Sequence, residues 1–217
     1  MAEALTLYTN PMSRGRIARW MLEEVEQPYE TELVDWANKS DAFLAVNPMG
    51  KVPTLVHGGR VITECPAICA YLADVFPEAG LAPDPADRHA YYRWLFFAAG
   101  PLEQAVTSKA MGWEASDPQK QGMLGFGNFD RTIDTLEQAV KDAGEGWLAG
   151  DRFTACDLYV GAHLSWGTQF GTIPRRDAFM AFVERVTDRP AAKRASELDD
   201  AAMAEMQGAG APAEADA

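Results

Sequence analysis

The stretch Asn47-Pro48-Met49-Gly50-Lys51-Val52-Pro53-Thr54-Leu55-Val56 decides how this chain folds. It enters a strand through Val52-Pro53. Proline has no N–H for a sheet ladder, so Pro53 marks an edge or a functional strand entrance. A cis Val52–Pro53 bond would leave the N–H and C=O of Val52 free to pair with another extended peptide, as an added strand does. A proline that merely opens a strand is the other reading of the same residues.

Working outward, Leu5-Thr6-Leu7-Tyr8 alternates like a strand, and Asn10-Pro11 breaks it. Ser13 is placed to cap a helix on which Ile17, Trp20, Met21, Leu22 and Val25 recur at helical spacing before Pro28. Tyr29 to Val34 reads as a second strand. Val52 to His57 and Arg60 to Thr63 read as two more, joined by Gly58-Gly59, a tight-hairpin signal. A helix follows from Cys65, with Pro66 in its first turn and Ile68, Tyr71 and Leu72 on one face. The order is β-α-β, an irregular passage, then β-β-α.

From Asp87 onward no strand is expected. His89 to Val106 is helical and aromatic-rich, and Phe129 to Ala143 repeats the helical period until Gly144 stops it. Thr154-Ala-Cys-Asp157 has the form of a capping box ahead of Leu158, Val160 and Leu164. Phe179, Phe182, Val183 and Val186 give a last helix that stops before Pro190. Leu81 to Asp87, with two prolines, reads as a stiff linker. The expected organisation is an α/β domain over residues 1–80, an all-helical domain over 88–204, and an acidic flexible tail over 205–217.

The 217 residues are 47% apolar, enough for a packed core, with a formal net charge of −13. Acidity on that scale argues against nucleic acid or an anionic membrane as a main partner. Six acids and no base follow Arg194, and the stretch from Gly208 on has nothing large to bury. No segment is apolar enough to span a bilayer, and Met1-Ala2-Glu3-Ala4 does not open like a secretory signal. Cys65, Cys69 and Cys156 form an odd set without C-x-x-C or histidine at ligand spacing. They point away from a disulfide framework or a bound metal and toward a reduced, cytoplasmic setting.

Two further segments carry candidate chemistry. In Ile62-Thr-Glu-Cys-Pro-Ala-Ile68, Glu64 and Cys65 stand at a helix start, where unpaired N–H groups attract a carboxylate while Glu64 can pair with an ammonium group. Together they suit the α-amino acid end of a ligand; a plain helix cap is the alternative. Tyr8-Thr-Asn-Pro-Met-Ser-Arg-Gly-Arg16 is a strand-to-helix turn offering Tyr8, Asn10 and Ser13 as polar groups. A donor there would stabilise a ligand thiolate, whereas capping is the alternative for Ser13.

The N-P-x-G-K-V-P-T-L segment, the T-E-x-x-A-I-x-x-Y-L segment and the later G-x-x-F-T-x-x-D box from Gly150 to Asp157 together resemble the glutathione S-transferase family. The resemblance runs from Leu5 to about Arg194 and is to the bacterial branches that use Ser or Cys near the first helix. It implies a thioredoxin-like glutathione domain, a helical domain forming most of the electrophile site, a homodimer, and a role in detoxification. Carried over by position, Val52 would bind the cysteinyl main chain of glutathione beside Pro53. Glu64 and Cys65 would hold its γ-glutamyl end, and Lys51 or Lys39 would reach its glycine carboxylate. Ser13 would face the sulfur, with Asn10 and Tyr8 as alternatives. The family usually has Ser where this chain has Cys65, so one hydroxyl donor is replaced.

A thiol with a pKa near ~8.5 is only a few per cent thiolate at neutral pH. A charge-assisted hydrogen bond of roughly 1.5–3 kcal/mol, made only to the anion, lowers that pKa by about one to two units. Conjugation of the glutathione thiolate to small apolar electrophiles is therefore the first functional expectation. Aromatic residues from Tyr91 to Phe97, with Met111 and Trp113, would supply an apolar surface. Glutathione-dependent peroxide or disulfide reduction, drawing on Cys65, is a second. A non-catalytic protein of the same fold that only binds ligands is a third.

Overall fold

The structure, a computed structural model, describes residues 3–209. They form two compact units, one of residues 3–68 with 190–209 and one of residues 69–189.

The first unit is built on a four-stranded sheet of β1 (Leu5–Thr9), β2 (Glu30–Leu33), β3 (Thr54–His57) and β4 (Arg60–Ile62), in the order β2-β1-β3-β4. β1 runs parallel to β2 and antiparallel to β3, and β3 is antiparallel to β4. The parallel β1–β2 pair needs a crossover, which α1 (Gly15–Val25) supplies. Leu5 and Leu7 of β1, Leu55 of β3 and Ile17, Met21 and Leu22 of α1 all lie in the buried core. Gly58 and Gly59 both take positive φ, as a two-residue hairpin with the twist of its strands demands. The passage expected to be irregular holds a short helix, α2 (Asp41–Val46), whose Ser40 side chain accepts from the Phe43 N–H. Helix α3 (Cys65–Val75) begins where expected.

The second unit is helical: α4 (His89–Phe97), α5 (Glu103–Ala110), α6 (Pro118–Met123), α7 (Phe129–Ala143), α8 (Ala155–Gln169) and α9 (Asp177–Thr187). The expected single helix from His89 is interrupted over Ala98–Leu102 by a wider π turn that contains Pro101. Proline cannot donate to the helical ladder, and a π turn absorbs that loss. The capping box forms: the Asp157 carboxylate accepts from the Thr154 N–H at 2.9 Å and hydroxyl at 2.8 Å, and from the Leu148 N–H at 2.7 Å. Tyr159 and Leu164 of α8 and Phe179 and Phe182 of α9 are buried in its core.

The C-terminal segment departs from expectation. The chain does not end its helices before Pro190 but continues as α10 (Pro190–Ala209), which shares the unit of the sheet instead of grouping with the other helices of residues 88–204. Its acids are not idle: Asp199 is buried and accepts from Arg19 Nε of α1 at 2.8 Å. Residues 205–209 belong to α10, and the remainder of the expected flexible tail, 210–217, lies outside the described residues. Among the described residues no helix is long and apolar enough to cross a membrane.

Candidate functional site

The sheet register gathers the three candidate segments at one end. Tyr8 of β1 stands opposite Thr54 of β3, and Leu55 stands opposite Ile62 of β4. The turn that leaves β1, the proline corner that enters β3 and the Glu64 junction that follows β4 therefore start from adjacent positions.

At the corner the Val52–Pro53 peptide is cis. Pro53 is buried and Val52 half-buried. Among the described residues neither the N–H nor the C=O of Val52 takes part in a hydrogen bond. An extended peptide laid beside Val52 would satisfy both groups, as β-augmentation does. Asn47 holds the corner in shape. It is buried, its amide donates to the Lys51 carbonyl and the Thr54 hydroxyl oxygen, each at 2.9 Å, and it accepts from the Met49 N–H at 3.1 Å. Gly50 supplies the reversal at φ +60°, and a Cβ there would stand 3.1 Å from Leu44 Cδ2 and 3.2 Å from Lys39 Cδ. Lys39 thus lies along the loop that carries Lys51, with the Lys39 ammonium 3.5 Å from that same point. Sequence reasoning passed over Asn47 as a support of the site, although Asn47-Pro48 opens the quoted motif.

Glu64 sits at the start of α3 in the left-handed region, φ +64°, with its carbonyl accepting from the Ile68 N–H. A non-glycine residue held there costs about 1–2 kcal/mol, and such strain gathers at ligand-holding positions. Its side chain is exposed. Cys65 is buried, and its Sγ donates to the Arg14 carbonyl at 3.6 Å, tying the α3 start to the α1 start.

The turn between β1 and α1 separates its three candidates. Asn10 is buried and its amide is engaged twice, donating to the Val34 carbonyl at 3.0 Å and accepting from the Met12 N–H at 2.9 Å. Tyr8 lies within β1, its ring stacked on Phe43 at 5.5 Å. Ser13 is half-exposed, donates to the Asn10 carbonyl at 2.6 Å and accepts from the Gly15 N–H at 2.9 Å. It braces the turn, but the geometric cap of α1 is Arg14, whose side chain makes no capping bond. Below the turn Thr9 is fully buried with a hydroxyl that lacks a partner. A Cβ at Gly15 would lie 1.8 Å from that hydroxyl, so only glycine fits at the helix start. Sequence reasoning did not single out Thr9; a threonine ending a strand carries no signal of its own.

Of the aromatic surface expected from the helical half, Tyr91 and Trp94 are core residues, whereas Tyr92, Phe96, Met111 and Trp113 are exposed. In the sheet unit Met12, next to Ser13, is also exposed.

The fold has counterparts among known proteins. The glutathione S-transferase N-terminal domain model matches residues 3–74. Glutathione S-transferase GST-4.5 of Xanthomonas campestris pv. campestris is 31% identical over 191 residues, spanning 84% of this chain and 92% of that protein. The crystal structure of a glutathione transferase from Methylococcus capsulatus str. Bath superimposes with a TM-score of 0.75 at 30% identity, covering 91% of this chain and 99% of its own. A sphingomonad glutathione S-transferase solved in complex with glutathione gives 0.72 at 28% identity, covering 90% and 98%. With a thioredoxin-like sheet, a helical second unit and a match over nearly its whole length, the chain belongs to the glutathione S-transferase family.

Proposed function

We propose that this glutathione transferase joins the glutathione thiolate to small apolar electrophiles, with the tripeptide extended along the Val52–Pro53 corner. The observation that carries the reading is the unpaired main chain of Val52 beside a cis proline, next to the β1–α1 turn. The cysteinyl unit of glutathione pairs with Val52. Its γ-glutamyl end lies at Glu64 and the start of α3, where the positive end of the helix dipole favours the carboxylate and the Glu64 side chain the ammonium group. With a buried thiol, Cys65 contributes there through its main chain, and Lys39 or Lys51 takes the glycine carboxylate.

Ser13 faces the sulfur. Its hydroxyl donates to the Asn10 carbonyl, and this hydrogen bond turns to the thiolate when glutathione arrives. The hydroxyl acts by stabilising the anion and not as a base. Asn10 is held by Val34 and Met12 and serves the turn, which favours Ser13 over it. Met12, exposed beside Ser13, gives the turn an apolar side chain that suits apolar electrophiles. The chain acts as a homodimer in the cytoplasm, in detoxification, with no metal. Cys65 is buried and bonded to the Arg14 carbonyl, which favours conjugation over a mixed-disulfide route through that thiol.

The purified protein should conjugate glutathione to nitroaryl halides, and Cys65→Ala should retain that activity. If turnover is found only with hydroperoxides or disulfides and is lost in Cys65→Ala, reduction replaces conjugation. Absence of glutathione binding by calorimetry overturns both in favour of a protein that only carries other ligands.

A further inference from the structure

Helix α1 presents Arg16, Arg19 and Glu23 at a spacing that puts them along one face. Helix α10 answers with Asp200, Asp199 and Arg194, running antiparallel to it. Two features fix α10 in place without Asp200. The Arg19–Asp199 pair is buried, with side-chain exposures of 5% and 0%, and Ala191 and Ala195 of α10 are buried as well. Arg19 reaches further, donating to the Tyr29 hydroxyl and to Thr31 of β2, each at 3.2 Å.

Arg16 is different, because it bridges α10 to the candidate site. Its Nε donates to the Pro11 carbonyl at 2.6 Å, and its Nη2 donates to Asp200 Oδ1 at 2.6 Å. Pro11 lies in the turn whose Asn10 carbonyl takes both the Ser13 N–H and the Ser13 hydroxyl. The guanidinium is rigid and planar, so holding one edge on a carboxylate orients the other. Among the described residues Asp200 takes one other hydrogen bond, from Ser196 Oγ at 3.5 Å one helical turn earlier.

We propose that Asp200 is a positioning residue for thiol activation: it holds the Arg16 guanidinium against the Pro11 carbonyl and so sets the turn from which Ser13 reaches the glutathione sulfur. The inference rests on the reading of Ser13 as the residue facing that sulfur. It assigns an acid of the C-terminal helix to a site formed by the first 16 residues and the proline corner. The Arg16–Asp200 pair lies at the rim, with side-chain exposures of 24% and 65%, so it contributes little to overall stability. Its effect is local and appears in the chemistry.

The test measures the titration of bound glutathione thiolate by ultraviolet absorbance, kcat, and the affinity for S-methylglutathione, which has no thiol to ionise. Asp200→Asn should raise the apparent thiol pKa and lower kcat at neutral pH by about 1.4- to 5-fold, the range of a rim ion pair. S-methylglutathione affinity and the melting temperature should hold, and Asp200→Glu should recover part of the loss. In a Ser13→Ala background the Asp200→Asn effect should vanish. If Ser13→Ala raises the thiol pKa but Asp200→Asn leaves it unchanged, the inference fails while the reading of Ser13 stands. If Ser13→Ala itself changes nothing, both fail. If Asp200→Asn weakens S-methylglutathione binding as much as it slows turnover, the residue is a general support and the inference is overturned.

Discussion

Removing the Ser13 hydroxyl tests the proposed thiol activation, and the structure sets how large the effect should be. The hydroxyl proton already has an acceptor, the Asn10 carbonyl at 2.6 Å. Stabilising a thiolate therefore exchanges a neutral hydrogen bond of about 1 kcal/mol for a charge-assisted one of roughly 1.5–3 kcal/mol. The net gain is about 0.5–2 kcal/mol, or about 0.4–1.5 pKa units at 1.36 kcal/mol per unit. Without the structure, a freely available hydroxyl would be credited with the full one to two units. Ser13→Ala should raise the apparent pKa of bound glutathione by that smaller amount, read from thiolate absorbance against pH. Because Gly15 N–H also loses its acceptor, the variant should unfold about 0.5–1.5 kcal/mol more easily. A comparison at matched glutathione saturation separates the two effects. An unchanged thiol curve in a folded, saturated variant refutes the reasoning and moves the role to Tyr8 or to main-chain donors of the turn.

Gly50→Ala forces a side chain into φ +60° against Leu44 and Lys39; it should cost about 1–2 kcal/mol in denaturant unfolding and weaken glutathione binding in calorimetry. Asp157→Ala leaves the Leu148 and Thr154 N–H groups without their acceptor in a buried site, so unfolding should become easier by about 2–4 kcal/mol, with a correspondingly lower melting temperature. Tyr29 is pushed up to about 12 by burial and by donating to Glu23, against the opposing pull of Arg19. The folded chain thus favours the neutral phenol, and its contribution is fully present below the ordinary value near 10 and lost as pH rises toward 12. Wild type should therefore lose stability relative to Tyr29→Phe across that window in denaturant melts, and parallel curves would contradict the assignment.

What could be read in the sequence was local. The proline corner, the Gly58-Gly59 hairpin and the Thr154–Asp157 box each place their determining residues within a few positions, and each forms. Helix α10 escaped because its sequence is rich in alanine and acids and shows little apolar stripe. The buried Asp199 pairs with Arg19, 180 positions away, and no periodicity reports so distant a pair. Helix α2 has six residues, too short to display a helical period, although Ser40-Asp41 was a readable start. In the site, proximity was legible but occupancy was not. The sequence offers Ser13, Asn10 and Cys65 as polar groups alike, and only the fold shows Asn10 engaged by Val34, Ser13 by Asn10, and Cys65 by Arg14, 51 positions away.

A crystal structure of the protein bound to glutathione tests the corner most directly. The cysteinyl N–H and C=O should pair with the main chain of Val52, the α-carboxylate should lie over the first turn of α3, and the sulfur should stand within hydrogen-bond reach of Ser13 Oγ. Glutathione bound elsewhere, with the main chain of Val52 still unpaired, would contradict it.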